Sequence, residues 1–118
     1  MEKYFRLNAL YDCYGALLTE RQRLLMEQYL TEDLSLGEIA EREGISRQGV
    51  RDALARAGEQ LEEYEKLLAL YERDVRLVKR LAELEVLVED TPMEHDRKKK
   101  IKEQIQFVVK TMEIADGI

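Results

Sequence analysis

Between Leu54 and Ala82 the apolar residues Leu54, Ala57, Leu61, Tyr64, Leu68, Tyr71, Val75, Val78 and Ala82 step by three and four without a break. That spacing falls on one face of an α-helix and on no face of a strand. Proline, the strongest helix breaker, occurs once in the 118 residues, at Pro92. A second row, Leu67, Leu70, Leu77, Leu81, Leu84 and Val88, runs beside the first, with Asp74 interrupting it. The two rows predict one long, partly heptad-like helix from Arg47 to the break at Asp90-Thr91-Pro92, with Gly58 its only strong weakness. Two parallel stripes exceed what a short domain can cover, which predicts a homodimer seam along this helix.

Composition agrees with an all-α chain. Charged residues are 37% and hydrophobic residues 45%, a mix that suits helices with long solvated faces. The length allows one domain plus a helical appendage: a first domain over residues 1–62, then an extension over 63–118 that carries the long helix and a C-terminal helix. Cys13 and His95 are the only residues of their types, so one chain cannot assemble a Cys/His zinc site, and a Ser-His-Asp triad would need His95 out of its charged run. No phosphate loop, dinucleotide fingerprint or EF-hand loop occurs. These absences predict a non-enzyme without a cofactor. No apolar stretch is long enough to span a bilayer and Met1–Arg6 carries no export segment, which predicts a reduced, cytoplasmic setting away from membranes.

The formal net charge is −6. Bulk charge therefore opposes adhesion to nucleic acid, and any such binding must come from a local patch. The run Arg97, Lys98, Lys99, Lys100 and Lys102 offers phosphate contacts or, more simply, a solvated helix face. The six tyrosines fall at helical spacing and predict core or seam. Cys13 reads as a small hydrophobe. Glu62, Glu63 and Glu65 read as a solvated face, because carboxylates so close in sequence diverge around a helix.

Ahead of the long helix the chain is punctuated by capping signals. Leu7, Leu10, Tyr14 and Leu17 predict a first helix from about Lys3 to Tyr14, loosened at Gly15. Thr19 with Gln22, and Ser35 with Glu38, form capping-box pairs that start the second and third helices. The second carries Leu24, Leu25 and Tyr29 and stops near Thr31-Glu32-Asp33. Gly44 ends the third, Ile45 plugs the turn, and Ser46 caps the fourth at once. A last helix from about Glu94 to Ile114 bears Ile101, Ile105, Val108 and Met112.

Ser35 to Ala57 has the grammar of a helix-turn-helix. Ala40 is small where two helices must cross, Gly44 lies in the short turn, and the next helix opens with polar residues. In such a motif those first residues face the edges of bases in the major groove. Here they are Ser46, Arg47, Gln48 and Arg51, with Asp52 among them and Arg56 a turn further on. Arg pairs with guanine and Gln with adenine. Ser46 serves the cap and a phosphate.

Thr19 to Leu61 resembles region four of bacterial sigma factors in Leu18-Thr19, Arg21-Gln22-Arg23, Leu25, Tyr29, Leu34-Ser35-Leu36, Glu38-Ile39-Ala40, Gly44-Ile45-Ser46-Arg47-Gln48 and Val50. No other sigma region is present. The opening residues Arg6, Asn8, Leu10, Asp12, Tyr14, Leu17-Leu18-Thr19 and Gln22, with Leu61-Glu62-Glu63-Tyr64-Glu65 later, are similar to the YlxM family of small bacterial helix-turn-helix proteins. The resemblance covers about Tyr4 to Tyr71. It implies an accessory or regulatory role tied to the signal recognition particle pathway. Weak DNA binding, or RNA binding, through the helix-turn-helix is the first expectation. The alternative is a protein-interaction module that receives the particle's GTPase on an acidic surface, with the helix-turn-helix as scaffold.

Overall fold

The computed structural model describes the backbone of residues 2–112 and the side chains of residues 4–112. Six α-helices follow one another: α1 (Glu2–Tyr14), α2 (Glu20–Leu30), α3 (Leu36–Glu43), α4 (Arg47–Leu68), α5 (Leu70–Glu89) and α6 (His95–Thr111), with a 3₁₀ turn at Gly15–Leu17 after α1. No strand occurs among the described residues and the chain is all-α, as expected from its periodicity and composition. It divides into two compact units, Met1–Ala69 and Leu70–Ile118.

In the first unit α1, α2 and α3 each pack on α4. Local chemistry sets most of the boundaries. The hydroxyl of Thr19 accepts from the Gln22 N–H at 3.1 Å while the Gln22 amide oxygen accepts from the Thr19 N–H at 3.0 Å. Ser35 and Glu38 repeat this reciprocal pair before α3. The Ser35 backbone N–H also holds the Glu38 carboxyl below the usual carboxylate range. The core is formed by Leu10, Tyr14, Leu25, Met26, Ile39, Val50, Ala57 and Leu61, all nearly or fully buried. Within α2 the buried pair is Leu25 and Met26, and Leu24, expected on the apolar face, is exposed. Leu17 is likewise exposed and Leu18 takes the buried place, because the 3₁₀ turn shifts the register after Tyr14.

Gly44 ends α3 in the left-handed region, at φ 67° and ψ 32°. Its N–H and that of Ile45 both return to the Ala40 carbonyl, Ile45 at 3.1 Å. A Cβ at Gly44 would meet no atom within 4 Å, so only backbone strain opposes a side chain there. Gly44→Ala is expected to lower stability by about 1 kcal/mol, read as a shift of the denaturant midpoint with an unchanged slope. A variant as stable as wild type would show that the turn does not need its left-handed residue.

The long helix expected from Arg47 to Pro92 is interrupted. It passes through Gly58 and breaks at Ala69, which adopts φ 53° and ψ 34° while its N–H still reaches the Glu65 carbonyl at 2.8 Å. One left-handed residue is enough to end a helix. The rows on either side of it serve different units: Leu54, Ala57 and Leu61 are buried in the first, Val78 and Val88 in the second.

The second unit is a hairpin of α5 and α6. The Thr91 hydroxyl donates to the Val88 carbonyl at 2.7 Å and closes α5 before Pro92. The last helix begins at His95 with Glu94 at its cap and reaches Thr111; Ile114, its expected end, lies outside the described residues. Ile105 is buried as expected. Much of the remaining apolar surface is not: Leu77, Leu84, Val86, Leu87, Phe107 and Val108 are all exposed. No helix of the described residues is long and apolar enough to cross a membrane.

Candidate nucleic-acid interface

The site is built on the first turns of α4. Ser46 has extended backbone geometry, at φ −74° and ψ 155°, and its hydroxyl oxygen accepts from the Gly49 N–H at 2.9 Å. That bond satisfies one of the orphan donors at the start of the helix. A Cβ at Gly49 would come within 3.1 Å of the Ser46 hydroxyl, so glycine leaves the cap room. The hydroxyl proton of Ser46 is not used by this bond and is available to a phosphate oxygen.

From this anchor the positions of the predicted contact residues follow by helix geometry. Arg47 and Arg51 lie about 40° apart around α4 and about 6 Å apart along it, so they share one flank. Gln48 and Asp52 occupy the adjoining outward face, and Gln48 donates its side-chain N–H to Asp52 at 2.9 Å. To read an adenine edge, Gln48 would have to exchange that bond for the base. Arg56 stands about 140° from Arg51 around the helix. Ser46, Arg47, Gln48 and Arg51 are thus brought together, and Arg56 is not, although all five fall within one short stretch of sequence. Its angular position could be counted from the sequence once the helix was assigned.

The arginines of the first unit differ in their engagement. Arg6 forms a two-point ion pair with Glu62, at 2.6 and 2.8 Å, which holds the Glu62 carboxyl below its usual range. Arg21 is paired with Glu43, and Arg42 with Glu32. Arg47, Arg51 and Arg56 are exposed and make no ion pair or side-chain hydrogen bond among the described residues. Glu43, at the end of α3, also accepts from the Gln28 amide at 3.1 Å, so α3 is clamped to α2.

Beside that flank α1, α2, α3 and α4 line an open groove of about 1160 Å³. Tyr4, Leu7, Tyr29, Leu36, Leu54 and Ala55 supply apolar surface, and Arg51, Glu59 and Glu63 are charged residues along its α4 wall. The rings of Tyr4 and Tyr29 stack with centroids 5.1 Å apart. The Tyr29 hydroxyl is pushed up to about 12 by its hydrogen bond with Tyr4 and by partial burial. Both tyrosines line the groove.

Glu65 departs from the solvated face expected for it. It is buried, and the Tyr14 hydroxyl, also buried, donates to its carboxylate at 2.5 Å. A buried carboxylate needs such donors, and this one comes from α1, 51 residues away in sequence. In the second unit the basic run is partly engaged: Lys102 pairs with Glu89, and Lys98 donates to the Glu89 carbonyl at 2.8 Å. Glu89 is held below the usual carboxylate range chiefly by Lys102. Among the described residues no group of three His, Cys, Asp or Glu side chains is placed to hold a metal ion.

A short helix crossed by a second that is capped by Ser46 and opens with arginines makes this a helix-turn-helix protein. A family model described as "Putative helix-turn-helix protein, YlxM / p13 like" matches residues 1–108. The chain belongs to that family, UPF0122. It is 40% identical over 106 residues to UPF0122 proteins of Bacillus cereus strain AH187, Bacillus anthracis strain A0248 and Bacillus thuringiensis subsp. konkukian strain 97-27, an alignment that covers 90% of this chain and 96% of each relative.

Proposed function

We propose that this protein is a non-enzymatic regulatory or accessory factor that binds nucleic acid, DNA first, through the N-terminal flank of α4. The supporting observation is that Arg47 and Arg51 are exposed, unengaged and share one flank of α4 beside the Ser46 cap. Arg6, Arg21 and Arg42 are ion-paired, and the two other unengaged arginines of the unit, Arg23 on α2 and Arg56, lie off that flank. Free guanidinium groups at the start of a recognition helix can meet phosphates or guanine edges without first breaking a bond. The first unit carries 14 acidic and 9 basic residues, so binding is weak, micromolar or poorer at physiological salt, as for mainly non-specific contacts. The link to the signal recognition particle pathway rests on the family resemblance. The protein acts as a homodimer through the second unit, a reading supported by the exposed Leu77, Leu84, Leu87 and Phe107 on a two-helix hairpin.

The test is a titration of wild type and an Arg47→Ala/Arg51→Ala variant against random and gene-proximal duplexes, DNA and RNA, at low salt. The double variant is expected to bind DNA more weakly by about 1–3 kcal/mol for each arginine that reads a base, with helicity and mass unchanged. Equal binding by both proteins, or none by either, contradicts the DNA reading. Preference for the RNA duplex would replace DNA with RNA as the ligand.

A further inference from the structure

The groove beside α4 is not needed for contact with a duplex, and its chemistry differs from that of the arginine flank. Its lining is apolar along Leu7, Tyr29, Leu36, Leu54 and Ala55. At about 1160 Å³ it exceeds the ~300–1,000 Å³ usual for small-molecule pockets. Along α4 the wall runs from Arg51 to Glu63, about 18 Å, or somewhat more than three helical turns. No sheet edge exists among the described residues to receive an extended strand, so a helix laid into the groove is the mode that fits.

Charge then narrows the occupant. Glu59 and Glu63 are exposed and form no ion pair or hydrogen bond among the described residues, whereas Glu62 between them is already held by Arg6. Arg51, at the other end of the same wall, is also unengaged. The groove therefore presents free carboxylates at one end and a free cation at the other. A helix that lies along it with its N-terminal half over Glu59 and Glu63 and its C-terminus toward Arg51 satisfies both ends, because the helix dipole is positive at its start and negative at its end. A nucleic acid would bring phosphates against Glu59 and Glu63. A second copy of the first unit would bring an excess of acidic residues, 14 against 9 basic.

We propose that this groove binds an amphipathic helix of a partner protein, apolar along one stripe and carrying Lys or Arg in its N-terminal half. Its apolar side chains, repeating at i, i+3, i+4 and i+7, cover Tyr29, Leu36 and Leu54, and its cations pair with Glu59 and Glu63. The site uses the helix-turn-helix unit as a receptor, and because Arg51 lines the groove as well as the arginine flank, a bound helix and a duplex compete for that residue.

The probe is a fluorescent peptide of about five helical turns with leucines at that spacing and lysines in its first half, titrated by anisotropy against the full chain at physiological salt. A peptide of the same composition, scrambled so that no apolar stripe forms, is the reference. Wild type is expected to bind the striped peptide about ten-fold or more tightly than the scrambled one, a difference of about 1.4 kcal/mol. Ala55→Arg, which places a long cation in the groove from an exposed position, and Glu59→Lys/Glu63→Lys, which reverses the charged end, should each remove that preference. Glu41→Arg, exposed on α3 and outside the groove lining, should keep it. Circular dichroism checks that each variant remains folded. Equal binding of the two peptides by wild type, or a preference that survives both groove variants, overturns the proposal.

Discussion

Ile39→Ala should destabilise the first unit by about 2–5 kcal/mol. Ile39 is fully buried on α3, which packs against both α2 and α4. Truncation removes three carbons and leaves a cavity that the capped and clamped helix is poorly able to close. The Ser35–Glu38 box fixes the start of α3, Gly44 fixes its end, and Glu43 ties it to Arg21 and Gln28 of α2. In a unit of this size each kcal/mol lowers Tm by about 4–8 °C. Thermal melting followed at the helical signal checks it. A shift of only a few degrees would mean that α3 relaxes onto α4 and that the turn is not held rigidly. Nucleic-acid binding should fall with folding and return when the unit is stabilised by lower temperature.

A charge at the centre of the second unit should act in a different way. Ile105 is buried in α6, and Ile105→Asp is expected to cost about 2–4 kcal/mol, since it places a carboxylate in an apolar site. Few apolar side chains of this unit are buried, so two helices of this length have little core in reserve. If pairing with a second copy supplies the rest, wild type should scatter light at twice 13.9 kDa at micromolar concentration. Ile105→Asp should then dissociate as it unfolds. Leu84→Glu, on an exposed leucine, should yield a folded monomer. A wild-type monomer, or a Leu84→Glu dimer of unchanged affinity, contradicts pairing through this hairpin. An unchanged melt for Ile105→Asp contradicts the burial of that face.

How far the sequence foretells this molecule depends on the range of the interaction concerned. Thr19, Ser35, Gly44 and Ser46 act on backbone groups within a few residues, and each sits where local pattern places it. The break at Ala69 has no such marker. Alanine has the highest helix propensity, and the glycine that looked weak, Gly58, stays helical. Glu65 is buried because a tyrosine from α1 reaches it, a partner invisible in the spacing of α4 alone. The groove escapes the sequence for the same reason: its lining comes from four helices. Glu59 and Glu63 look like any solvated pair until Leu7, Tyr29 and Leu36 are placed beside them. Arg56 is the opposite case, since its distance around the helix from Arg51 follows from counting residues.

The central claim, that α4 meets nucleic acid with one flank, is tested most directly by the salt dependence of DNA binding in three single variants. Observed affinity falls with salt in proportion to the number of phosphates neutralised. Arg47→Ala and Arg51→Ala should each flatten the slope of log K against log salt by about one unit. Arg56→Ala, about 140° away around the helix, should leave the slope of wild type unchanged. Three equal slopes, or a flattening confined to Arg56→Ala, would contradict an interface on the Arg47–Arg51 flank.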